Sequence, residues 1–276
     1  MLNRFDSARP LSVVLWALAV GVVAGLVTAG YHRIVSEPVI DDAIAIEDAR
    51  LAAEVAAGGH HDAEPERVSR SDQRGAGLFL GYSILGAAYA LVLSVTALAL
   101  RGRWLDPFRR VLVAGSILAG GLTVVPWLKY PPNPPAVGDQ ATVGERQRLY
   151  WTLVVLAGLV FAGATYLSGR LRDRGWPEAR RIAAVTGAVV AILGVALALL
   201  PPITDPIPAE VPATLIWHFR IASLGGNLLL WGLITVGFGW LWAEAAARRV
   251  AVEDPAAAEA AAVQNSMPFR AEMPSS

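Results

Sequence analysis

Six stretches of this chain carry no charged residue, and each is 18 to 26 residues long. They run 11–30, 75–100, 111–128, 149–169, 182–200 and 221–243. At about 1.5 Å of rise per residue, about 20 apolar residues cross a hydrocarbon core of about 30 Å. Backbone N–H and C=O groups find no water there, so only helices or closed barrels span it. Barrel strands would alternate polar and apolar side chains, and these runs do not. The pattern predicts an all-α polytopic membrane protein, a bundle of six transmembrane helices with boundaries near those of the runs. Residues 1–250 form one membrane domain. The tail 251–276, rich in alanine, proline and glutamate, is expected to be disordered. The first run exceeds the apolar core of a signal peptide, about 7–15 residues, so it is expected to stay as an anchor.

Several function classes fall away on composition. There is no cysteine, so thiolate metal sites and cysteine nucleophiles are excluded. The formal net charge is zero, and no basic surface points to nucleic acid. The single lysine, Lys129, is in no GxxxxGK loop, so nothing suggests a nucleotide-driven pump. Neither HExxH nor GxSxG is present, which argues against an intramembrane enzyme.

Six crossings put both termini on one side, and arginine chooses it. Fourteen basic residues fall in the termini and the loops near 101–110 and 170–181, against nine on the other side. The positive-inside rule makes the arginine-dense side cytoplasmic. The longest outer loop, 31–74, carries Ile40, Ile44, Leu51 and Val55 at helical spacing among Glu37, Asp41, Asp42, Glu47, Asp48 and Glu54. It reads as a short amphipathic helix stopped by Gly58 and Gly59.

On this topology all four histidines lie outside: His32 at the end of the first membrane helix, His60 and His61 in the loop, His218 before the last membrane helix. Neutral imidazole beside carboxylates makes an N/O ligand set that suits Co²⁺, Ni²⁺ or Zn²⁺ better than Cu⁺. These four are the candidate metal residues. The membrane interior holds only small or neutral polar groups, of which Asn227 is a candidate pathway residue or interhelical hydrogen-bond donor. The pairs Gly21/Gly25, Gly77/Gly81 and Gly115/Ala119 have the spacing that lets helices pack closely. The stretch WLKYPPNPPAVGD (127–139) follows Pro126, which should end or kink its helix and free the Leu122 carbonyl. Its prolines make a stiff turn. Lys129, Asn133 and Asp139 then face the outer side, and the turn is expected to cap the helix ends near His32 and His218.

PWLKYPPNPPAVGD followed by TVGERQRLYW resembles the signature of the CbtA family, proposed cobalt transporter subunits. QRGAGLFLGY at 73–82 and FRIASLGGNLLLW at 219–231 fit the same family. The resemblance implies a multi-pass protein of the bacterial inner membrane that carries Co²⁺ for vitamin B12 biosynthesis. It also implies a small CbtB-like partner with one membrane helix. No tightly bound cofactor is implied, with Co²⁺ as substrate. A non-transporting scaffold or metal-gathering sensor working with a partner is the alternative.

Overall fold

The computed structural model describes residues 9–58, 68–101, 106–138, 142–203 and 207–253. Among them the regular elements are all helical. In chain order these are α1 (Pro10–Val35), α2 (Glu37–Ala56), α3 (Arg70–Ala99), α4 (Pro107–Lys129), α5 (Val143–Asp173), α6 (Glu178–Leu199) and α7 (Ala213–Glu253). All but α2 are long and apolar enough to cross a membrane, which matches the six charge-free runs.

The helices outrun those runs. α5 starts at Val143 and not at 149, and α7 starts at Ala213 and not at 221. A charged residue ends a hydropathy run without ending a helix. Arg146, Arg148 and Arg220 sit in the opening turns of α5 and α7, where a long cationic side chain reaches the polar boundary. The predicted outer loop is likewise mostly helix, because α1 continues to Val35 and α2 follows after Ser36. Gly58, at φ +89°, lies just beyond α2 as expected. Local signals set several starts. Pro10 and Pro107 stand in first turns, where a missing N–H costs nothing. Asp106 accepts from the Arg109 N–H, and Ser69 from that of Asp72.

Four helices form a tight unit. α1 and α3 run antiparallel with their backbones nearly touching, so a Cβ on Gly21 would lie 2.4 Å from the Gly86 oxygen. One on Gly25 would lie 2.2 Å from the Tyr82 oxygen. α7 packs on α1, and α4 packs on α7, where Gly115 seats the Thr235 side chain. Val13, Leu93, Val111, Leu230, Ile234, Phe238 and Trp242 fill the centre. Gly77 and Gly81 do not serve as a helix contact. Both are exposed, and no other helix lies within 4 Å of either position.

α5 and α6 form a hairpin turned at Gly175 (φ +76°). It packs on the second half of α4 through Val125, Leu153, Ala157 and Leu193. Within α4 a π turn, Gly120–Val124, precedes Pro126, and the helix continues to Lys129. Pro126 therefore does not end the helix, and the Leu122 carbonyl accepts from the Tyr150 hydroxyl at 3.2 Å. The alternating helices gather the ends of α1, α4 and α6 with the starts of α3, α5 and α7. We call this the turn face; the opposite one is the tail face.

Candidate functional site

Helical spacing sets Thr28 and His32 of α1, and Ser36 just beyond its end, one turn apart on a single stripe. All three are buried, His32 to 6% exposure. His32 Nδ1 lies 2.6 Å from Ser36 Oγ. Tyr82 of α3 stacks on the ring at 4.6 Å between centroids, and Tyr31 meets it edge-on at 5.2 Å. Nε2 lies against Gly226 of α7, where any Cβ would overlap the ring. Among the described residues, neither His32 Nε2 nor Thr28 Oγ1 has a hydrogen-bond partner. When Nδ1–H donates to Ser36, Nε2 keeps its lone pair and points it into the α1–α3–α7 junction, the tautomer that can ligate a metal. A buried polar atom left unpaired costs about 1–3 kcal/mol, so two on one stripe mark a place with unused polar capacity.

His218 has different surroundings. It is exposed on α7 and lines a groove of about 260 Å³ with Tyr31, Val35, Val39, Trp217 and Ile221. Tyr31 links the two places: its ring meets His32, it borders the groove, and its hydroxyl donates to the Ala222 carbonyl at 3.3 Å. His60, His61 and Asp139 lie outside the described residues. Asn227 donates to the Ser223 carbonyl of its own helix at 2.9 Å, not to a neighbouring helix.

The proline turn seats itself on α7 and α2. Ala136 and Val137 pack with Val211, Leu215 and Ile216 and with Ile46 of α2. Arg220 fastens the turn, its Nη2 donating to Asn133 Oδ1 at 2.7 Å and its Nε to the Pro132 carbonyl at 3.3 Å. Trp127 Nε1 donates to the Arg220 carbonyl at 3.3 Å. Burial pushes the Tyr130 hydroxyl above its ordinary pKa, and the hydroxyl donates to the Pro201 carbonyl at 2.9 Å. Lys129 has no hydrogen-bond or ion-pair partner among the described residues. The turn thus caps helix ends, but Asn133, the Leu122 carbonyl and His32 go to separate partners. Among the described residues no three His, Asp or Glu gather as a metal site.

The acidic helix is also partly spent. Glu37, buried, pairs with Arg70, and Asp41 pairs with Arg70 at 3.2 Å and Arg74 at 3.4 Å. Sequence reasoning missed these pairs, and it missed Thr28, Ser36, Tyr82 and Gly226 around His32. The i, i+4 register of Thr28, His32 and Ser36 was the available signal. It went unused because the apolar run stops at Gly30.

Six helices long and apolar enough to cross a membrane define a multi-pass membrane protein. The chain belongs to the CbtA family, described as probable cobalt transporter subunits, whose family model matches residues 11–243. That match agrees with the resemblance carried by the proline turn and its flanks. It identifies a transporter subunit rather than an enzyme, and a subunit implies a partner protein. No curated protein and no solved structure matches the chain.

Proposed function

We propose that this chain is the membrane subunit through which Co²⁺ crosses the bacterial inner membrane to supply vitamin B12 biosynthesis. It works with a small single-helix CbtB-like partner, and both its termini are cytoplasmic. The observation that carries the reading is the buried, unpartnered Nε2 of His32 at the junction of α1, α3 and α7. One imidazole nitrogen and the Thr28 hydroxyl supply an N/O pair suited to a borderline divalent ion. The groove beside His218 and Tyr31 is the outer approach, and His60, His61 and Asp139 gather metal ahead of it. The close fit of Gly226 on His32 makes this a closed state, so passage requires α1 and α7 to part.

The test is ⁵⁷Co²⁺ uptake by proteoliposomes holding the chain and its partner. His32→Ala should lower uptake at least about tenfold, the scale of losing one good metal contact. Gly226→Ala, which crowds the ring, should lower it too. Unchanged uptake by a folded His32→Ala protein sinks the His32 reading. Wild-type vesicles that bind Co²⁺ but never accumulate it would favour the scaffold or sensor. The lack of a three-ligand cluster among the described residues is the observation that speaks for that second reading.

A further inference from the structure

Among the described residues α5 packs on α4 chiefly from Gly120 onward. Ahead of that point a cleft of about 270 Å³ opens between α3, α4 and α5, lined among others by Thr96, Ile117, Gly121, Gly158, Phe161 and Thr165. Its whole described lining falls inside the charge-free runs 75–100, 111–128 and 149–169. The cleft therefore sits at the depth of hydrocarbon tails and not of headgroups. Ile117 and Thr165 also line a second space of about 220 Å³, so open volume follows α4 and α5 toward the tail face. The mouth lies between α3 and α5, where Ala99 of one and Gly158 and Ala162 of the other line the cleft and are exposed.

The lining decides what can fill this space. Two threonines are the only polar side chains in the described lining, and both are spent on their own helices. Thr96 Oγ1 donates to the Val92 carbonyl at 2.8 Å, and Thr165 Oγ1 to the Ala162 carbonyl at 2.7 Å. A water molecule needs two to four polar partners, so an apolar cavity of this kind stays dry and takes apolar guests. Another helix, about 10 Å across with its side chains, is too wide for it. The protein leaves it unfilled, since a Cβ on Gly158 would meet nothing within 4 Å. Left empty, its walls forfeit dispersion contacts that a guest would restore. We propose that the cleft binds one acyl chain of a membrane phospholipid, entering between α3 and α5. The chain lies beside Phe161, where that ring packs over Gly121, and completes the contact between the hairpin and the four-helix unit.

The test places the full chain in nanodiscs of phosphatidylcholine that carries a diazirine midway along one acyl chain. After irradiation, mass spectrometry of peptides maps the adducts. Adducts at Ile117 and Ala162 should exceed those at Val190 and Val195, exposed on α6, by about tenfold, since about a dozen close atom contacts are worth that much. Gly158→Leu and, separately, Ala162→Leu put protein where the chain lies. Each should remove most of the excess, leave the α6 adducts alone and keep Tm at or above that of the wild type. The protein has no cysteine, so Gly158→Cys reports access by water. A charged thiosulfonate should leave it unmodified in the nanodisc and modify it after denaturation. Cleft adducts from photoreactive palmitic acid but not from the phospholipid would overturn the phospholipid and leave a free fatty acid in its place. Rapid reaction with the charged reagent, equal adducts in the cleft and on α6, or an excess that both leucine variants leave intact each overturn the proposal.

Discussion

The α1–α3–α4–α7 unit and the α5–α6 hairpin are built from similar residues and packed by different means. In the unit, glycines bring backbones into contact, and aromatic groups bridge three helices. Trp231 of α7 stacks on Tyr89 of α3 at 4.6 Å and donates to Thr123 Oγ1 of α4 at 3.0 Å. In the hairpin, most glycines meet nothing within 4 Å, and large side chains such as Leu159, Val190 and Leu199 are exposed. Lipid tails are as apolar as leucine, so burying a leucine between helices gains little in a bilayer. Association comes from shape and from polar bonds, and the unit holds most of both. The hairpin instead attaches through a few contacts, chiefly Phe161 over Gly120 and Gly121 and the Tyr150 hydroxyl on α4.

The largest expected effect breaks the contrast at its root. Gly25→Ala forces a Cβ into the Tyr82 carbonyl and should destabilise the protein by about 3 kcal/mol, the upper range for overpacking. Gly187→Ala in α6, where nothing is within 4 Å, should instead stabilise by about 0.5–1 kcal/mol through helix propensity. Tm in one detergent measures both, and equal shifts would erase the distinction drawn between the regions. Next comes Thr123→Val, which keeps the shape but leaves the buried Trp231 N–H unpaired; a loss of about 1–2 kcal/mol is expected. The smallest is Tyr150→Phe, which removes the hydroxyl that ties the hairpin to the Leu122 carbonyl. It should cost about 1 kcal/mol and show as faster hydrogen exchange around 120–126 with little change in the four-helix unit.

The contrast also explains what could be read in advance. Charge-free length alone reveals the six spans, since the membrane penalty acts on each helix separately. Helix ends were misplaced where one arginine, such as Arg220, stands inside a helix and turns its guanidinium toward Asn133. The α2 helix was legible from its spacing, but its buried face was not: Val55, expected on it, is exposed, whereas Glu37 is buried against Arg70. Thirty-three residues separate that pair, and no local pattern connects them. His32 was legible as a candidate. Its setting was not, because burial there depends on Gly226 being small enough to admit the ring from almost two hundred residues away.

The π turn of α4 has one more consequence. An i→i+5 turn inserts one residue, which rotates everything beyond it by about 100° relative to an uninterrupted helix. Ahead of it, Val111, Ala114 and Gly115 belong to the four-helix unit; beyond it, Val125 belongs to the hairpin. One helix is thereby phased to two different partners. Sequence length between 120 and 124 therefore acts as a code for orientation, and a relative one residue shorter there would present Val125 and Tyr130 to the wrong neighbours. Such a deletion would be tolerated only together with compensating changes along Leu153, Ala157 and Leu193, so gaps in this short segment should travel with substitutions in the hairpin.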